Sequence, residues 1–409
     1  MLLSLCFAVI SLTPIDSLRE SLSSPTWSLK SIAESEFANA PLTRSQAADA
    51  ARLVYEALTT KLRTDRQKEW TAKEITHADK TMKFDFHVFG DAPAAPSTGR
   101  SLFISMHGGG STTTKVNDQQ WRNQVRLYTP AEGVYLAPRA PTDAWNMWHQ
   151  EHIDPMFDRI IEDAILFEGV NPNRVYLMGY SAGGDGVYQL APRMADRFAA
   201  ASMMAGHPNE ASPLGLRNLP FAIHVGEKDD AFKRNTIAAE WGTKLDDLAK
   251  ADPQGYIHHV EVHPGKAHWM DREDASAVPW VAAYTRDPLP NRVVWRQDDV
   301  LSQRFYWLAA DGTPKAGDLL DVTFKNNEFV VAPETTVASF WLLLNDEMFS
   351  LDTHTQILVK FKNTRTTLDI PKRTLAHICA SLLERVDSTN CFTTRMRVQL
   401  PVSSLDSTK

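Results

Sequence analysis

Between Leu102 and Val262 six short apolar runs recur, each four to eight residues long or nearly so: FISM from Phe103, VYLAP from Val134, VYLMG from Val175, AAASMMAG from Ala199, FAIHVG from Phe221 and YIHHVEV from Tyr256. The stretches 155–167, 182–195, 235–249 and 274–285 between or after them carry apolar residues at helical spacing. Apolar strands that alternate with amphipathic helices need cover on both faces, which a doubly wound, mainly parallel α/β sheet supplies. In such a sheet a ligand binds beyond the C-terminal strand ends, so residues 73–287 are read as one α/β domain whose functional residues sit in the loops after the apolar runs.

The flanks have other rhythms. Residues 1–16 form an apolar N-terminal segment, and 17–72 a linker and a helix: 17–39 is polar and Ser-rich, whereas Ala47, Ala51, Val54, Leu58 and Leu62 trace one helical face over 46–67. Phe84, Phe86 and Val88 alternate with polar residues as in a half-buried strand, and 93–99 reads as a turn. After Asp287-Pro288-Leu289-Pro290 the helical spacing fades, and short runs near Val293, Phe305, Leu320, Phe329, Val337 and Ile357 predict an all-β, sandwich-like domain over 288–403. Its Trp295, Phe305, Tyr306 and Trp307 fit a core better than a binding platform.

Lys and Arg number 43 against 50 Asp and Glu, a net charge of −7, which argues against a nucleic-acid partner. Three cysteines (Cys6, Cys379, Cys391) are too few for a disulfide scaffold or a four-thiolate metal site; Cys379 and Cys391 either pair in an oxidising compartment or stay buried thiols. The run LLSLCFAVISL from Leu2 is too short to span a bilayer. It has the length of a signal core but no Lys or Arg before it, leaving two readings: secreted or periplasmic if it is a signal, cytoplasmic otherwise. Oligomeric state is not legible.

Chemistry is carried by Gly179-Tyr180-Ser181-Ala182-Gly183, directly after one apolar run and before a helical stretch. In a G-x-S-x-G elbow small neighbours let the serine occupy a strained strand-to-helix turn, its hydroxyl clear of the sheet. Upstream, His107-Gly108-Gly109-Gly110 follows another run. Backbone N–H groups of Gly108 and Gly109, with that of Ala182, suit an oxyanion hole, each donor contributing about 2.7–4 kcal/mol to a transition state. The remaining partners are expected in the order Ser, Asp, His. Asp229 in Gly226-Glu227-Lys228-Asp229-Asp230 is the candidate acid, with Asp230 the alternative, and His268 in the loop after the last run is the candidate base, with His263 its competitor. His258 and His259 fall inside the strand and read as structural.

Trp145, Trp148, His207 and Trp269 are candidate substrate contacts, while Asp185, one helical turn beyond Ser181, reads as a buried hydrogen-bonding group. His149, His152 and Asp154 have ligand-like spacing without a second cluster to complete a shell, and neither metal nor organic cofactor is expected.

On HGGG, GYSAGGDG, GEKD and GKAHW, in that order over 73–287, the chain resembles the α/β-hydrolase superfamily, most closely its esterase, dienelactone-hydrolase and polyhydroxyalkanoate-depolymerase-like branch. Stretches such as NDQQW and APRAPTDAWNMWHQ also resemble a bacterial group of hydrolases that carry an added C-terminal β domain. The resemblance implies the fold, a serine nucleophile, its base and an oxyanion loop, acting on a small-molecule or polymer ester. It leaves open a serine peptidase of the prolyl-oligopeptidase kind, although the segment before Lys73 is too short for that group's propeller, and a catalytically silent binding protein. One departure from the family's pattern is that the candidate acid Asp229 is followed by a second aspartate, Asp230.

Overall fold

The computed structural model describes residues 12–91 and 98–401. The apolar N-terminal run with Cys6, most of the 93–99 turn and the last two residues of the 288–403 segment lie outside them. The chain forms two compact units: residues 1–61 with 343–356 and 369–396, and residues 62–342 with 357–368 and 397–409.

The smaller unit contains α1 (Pro14–Ser23), α2 (Leu29–Ala33) and the first half of α3 (Arg44–Ala72). Residues 17–39, expected as a linker, are thus largely helical. Side-chain hydroxyls cap these helices: just before the segment Thr13 accepts from the Asp16 N–H, and within it Ser28 forms a capping box with Ser31. Ile15, Leu18, Leu29, Ile32 and Ala38 are buried, so a polar composition conceals an apolar face. A late helix in this unit (Leu375–Glu384), which strand-like patterning did not announce, buries Leu375, Ile378, Cys379 and Leu382. Cys379 forms no disulfide with Cys391.

The larger unit is built on an eight-stranded sheet: β1 (Glu74–His77), β2 (Lys80–Phe89), β3 (Arg100–Met106), β4 (Gly133–Arg139), β5 (Val170–Tyr180), β6 (Ala200–Met204), β7 (Phe221–Gly226) and β8 (His258–His263). Their order is β1-β2-β4-β3-β5-β6-β7-β8, antiparallel at β1-β2 and β2-β4 and parallel from β4 to β8. From β3 the chain passes to β4 on one side, and from β5 onward it moves the other way, so the topological switch falls between β3 and β5, where a crevice opens at the C-terminal strand ends. The central strands are buried almost throughout, whereas β8, at the sheet edge, alternates.

Helices α4 (Thr114–Gln124), α5 (Ile153–Glu168), α6 (Ala182–Arg193), α7 (Arg234–Ala251) and α8 (Ala277–Ala282) cover the sheet. The polar sequence of α4 hid it from periodicity. On one face Phe103, Tyr176, Met178, Ala200 and Met204 pack with Met270, Ala277, Val278 and Val281. Tyr188 of α6, Phe221 of β7 and Trp241 of α7 form an aromatic cluster.

Beyond residue 288 the strands β9 (Arg292–Arg296), β10 (Arg304–Phe305), β11 (Leu308–Ala310), β12 (Leu319–Lys325), β13 (Glu328–Val331), β14 (Ser339–Leu344), β15 (Gln356–Phe361), β16 (Thr364–Asp369) and β17 (Thr394–Gln399) form two further sheets, β16-β15-β13-β12-β9 and β10-β11-β14-β17. Trp295, Phe305, Tyr306 and Trp307 are at most 4% exposed, which makes them core.

Candidate active site

Strand β5 ends at Tyr180, and Ser181 follows with φ 58° and ψ −122°, a backbone conformation that L side chains rarely adopt. Surrounding hydrogen bonds hold it there: the Ser181 N–H donates to Met204 O at 2.9 Å, and its carbonyl accepts from the Asp185 N–H at 2.9 Å as α6 begins. The helix lies so close to β3 that a Cβ on Gly183 would sit 2.1 Å from Met106 O, which explains the second glycine of the motif.

His268 enters from the loop after β8. Its Nε2 lies 2.9 Å from Ser181 Oγ and its Nδ1 lies 2.8 Å from Asp229 Oδ2. This fits the tautomer in which Nδ1–H donates to the carboxylate and Nε2 accepts the serine proton. Asp229 is 1% exposed and fixed through its backbone: its N–H donates to Gly226 O and its carbonyl accepts from the Asn235 N–H, both at 3.0 Å. Asp230, one residue on, is exposed and turns into the short helix before α7. His263 is buried and paired instead with His224, Nε2 to Nδ1 at 3.2 Å.

The loop that carries His268 is held by a residue that sequence reading passed over. The Tyr180 hydroxyl donates to His268 O at 2.7 Å and accepts from the Met270 N–H at 3.1 Å, while its ring packs on Trp269 with centroids 5.6 Å apart. The variable second position of G-x-S-x-G thus ties the elbow to the His268 loop. Burial pushes the Tyr180 hydroxyl above its ordinary pKa, which keeps it a neutral donor.

Gly108 and Gly109 pass beside Ser181. A Cβ on Gly108 would lie 3.0 Å from Ser181 Cβ; Gly109 has φ +115°, and a Cβ there would lie 2.2 Å from Asn117 Oδ1. Asn117 anchors this loop by accepting the Gly110 N–H at 2.9 Å and donating to Asp143 at 2.7 Å, and Asp143 in turn takes Thr114 and Arg139. Burial pushes His107 down to about 4, so it stays neutral; its Nε2 accepts from the Ala140 N–H, leaving Nδ1 to donate to Gly108 O. The Ala182 N–H lies in the first turn of α6, where backbone donors have no intrahelical acceptor.

Two cavities meet at Ser181. One, about 650 Å³, is lined by Gly108, Gly109, Leu127, Tyr180, His268 and Trp269 among others. The other, about 530 Å³, is lined by Gly110, Trp145, Asp185, His207, Phe232 and Arg234 among others. Phe232 and Arg234 carry no sequence motif that would have flagged them. Burial raises Asp185 to about 6 even though it accepts the His207 N–H at 2.6 Å. Trp148 reaches neither cavity: it is wholly buried and donates its indole N–H to His107 O at 3.0 Å, backing the glycine loop rather than facing a ligand. The His149-His152-Asp154 spacing does not make a metal shell, because Asp154 is engaged by the Arg193 guanidinium.

The sheet order, the serine at the sharp turn after β5 and the glycine loop after β3 define the α/β-hydrolase fold. No family model matches the chain. Among curated proteins, "Putative esterase NocK" of Nocardia uniformis subsp. tsuyamanensis is 30% identical over 173 residues, which covers 39% of this chain and 48% of that protein. The chain therefore spans about half the length of the relative it matches. Matches among solved structures include a thermostable esterase (18% identity, TM-score 0.40, 52% of this chain and 62% of that one). The LpqC poly(3-hydroxybutyrate) depolymerase from Bordetella parapertussis is another (17%, 0.38, 52% and 87%).

Proposed function

We propose that the protein is a serine carboxylic-ester hydrolase that works through an acyl-enzyme on Ser181. The observation that carries this reading is the relay of Ser181 Oγ, His268 and Asp229 at 2.9 and 2.8 Å, centred on a serine with φ 58°. The relative named an esterase supports the same reading.

In the proposed reaction His268 Nε2 takes the Ser181 proton as Oγ attacks the ester carbonyl. Asp229 stabilises the imidazolium and fixes its orientation. The N–H groups of Ala182 and of the Gly108-Gly109 segment receive the oxyanion, an effect of about 2.7–4 kcal/mol per donor. His268 then protonates the departing alkoxide, so the alcohol leaves through the cavity that His268 lines, and the acyl group occupies the cavity of Trp145 and Phe232. Water activated by the same histidine releases the acid.

The test is fluorophosphonate labelling, mapped by peptide mass, beside hydrolysis of short p-nitrophenyl esters. Label confined to Ser181 and loss of both signals in Ser181→Ala are expected. Undiminished turnover in pure Ser181→Ala protein would refute the mechanism.

A further inference from the structure

A second cluster of chemistry-bearing side chains lies on β7 and β8, on the face that meets residues Glu273–Ser276 and Trp280. His224 stands opposite Glu261 in the β7–β8 register, and His263 follows Glu261 by two residues, so all three project to one side. One ligand atom from each of His224, Glu261 and His263 lies within 4.8 Å of the other two. His224 Nδ1 is 3.2 Å from His263 Nε2 and 3.5 Å from Glu261 Oε2. Four ligands around a tetrahedral zinc at 2.0–2.1 Å are about 3.3 Å apart, so both separations match edges of that shell.

The surroundings fit as well. Both imidazoles are buried, at 1% and 2% exposure, while Glu261 is 39% exposed along its side chain, which leaves a path for an ion and room for a water ligand. If His263 binds through Nε2, its Nδ1 faces the Glu273 carboxylate at 3.7 Å, and Glu273 is anchored by Lys266 at 2.8 Å. A carboxylate behind the second ring nitrogen is the arrangement that orients metal-binding histidines. Mixed imidazole and carboxylate donors suit zinc rather than magnesium or calcium.

We propose that His224, Glu261 and His263 form a site for a divalent transition-metal ion of the zinc class, which ties β7 to β8. These are the strands that lead into Asp229 and His268, so an ion there would clamp together the two elements presenting the proposed acid and base. It would act on position rather than on the reacting atoms. The site does not depend on the hydrolase reading, because binding is read without turnover.

The test uses the full chain, stripped with a chelator, desalted and titrated with zinc chloride by calorimetry, with metal content measured after gel filtration. One zinc per chain and a raised thermal midpoint at saturation are expected. Glu261→Gln, a substitution on a half-exposed side chain whose folding is checked by circular dichroism, should weaken binding at least tenfold. Glu273→Gln should weaken it about 10–100-fold. His258→Ala, on the same strand but turned toward Asp246 of α7, should retain the full stoichiometry. Absence of zinc binding in the unmodified protein overturns the proposal and leaves His224 and His263 as a hydrogen-bonded pair. Equal binding in Glu261→Gln overturns it too, by placing the ion elsewhere.

Discussion

The conformation of Ser181 allows its backbone strain to be measured apart from its chemistry. Ser181→Ala and Ser181→Gly both delete the hydroxyl and its 2.9 Å contact with His268, so the lost hydrogen bond cancels between them. What differs is the backbone at φ 58°, ψ −122°. A non-glycine residue held in such a region costs about 1–3 kcal/mol, which Ala keeps and Gly removes. Gly gives back about 0.5–1 kcal/mol through the larger freedom of its unfolded chain. With a mid-range strain of about 2 kcal/mol against a mid-range entropy term of about 0.75, the glycine variant should be more stable than the alanine variant by roughly 1 kcal/mol, a rise of a few degrees in Tm. Urea titration followed by tryptophan fluorescence, with unfolding of the two units resolved, is the assay, and both variants should be inactive toward esters. An alanine variant as stable as the glycine variant would refute the strain argument.

Tyr180→Phe keeps the ring on Trp269 but removes both hydroxyl contacts to the base loop; misplacement of His268 should lower kcat by up to about 100-fold with KM little changed, and kcat within twofold of the parent would count against the clamp. Asn117→Ala frees the Gly110 N–H and Asp143, so esterase kcat should fall by roughly tenfold or more as the glycine loop loosens, read by steady-state kinetics beside an unchanged fluorophosphonate stoichiometry. Asp185 has a folded pKa of about 6, above the unfolded 3.8, so its protonated form contributes stability that is present below 3.8 and lost as pH rises through 6. Asp185→Asn, whose amide oxygen can still accept the His207 N–H, should thus gain on the parent by about 2–3 kcal/mol between pH 4 and 7, and parallel stability profiles would refute this.

Much of the sheet is legible in the chain because each buried strand is a short apolar run and each covering helix has a matching apolar stripe; β3 to β7 and α5 to α7 follow from that alone. The same pattern fails where burial is sparse. The helix α4 carries polar residues, since only Asn117 and Gln124 in it are buried, and its role is to hold the glycine loop through a side-chain amide. Around α1 and α2 short helices with few buried positions, set among polar and capping residues, mimic a linker. The elbow and the glycine loop are visible as motifs because close backbone approach admits only glycine, and that restriction is written in the sequence itself.

Pairing is another matter. That Asp229 and not its neighbour faces His268, that Tyr180 fastens the loop of His268, and that Trp148 backs the glycine loop while Trp145 lines a cavity all depend on tertiary contacts, the hydrogen bonds among them joining residues 39 to 90 positions apart. The cluster of His224, Glu261 and His263 arises the same way, from the register of β7 against β8. Sequence determined which residues can do chemistry, because backbone geometry and burial restrict residue type locally. Only the tertiary structure decided which of them meet, because hydrogen bonds and ligand geometry are set by distances through space.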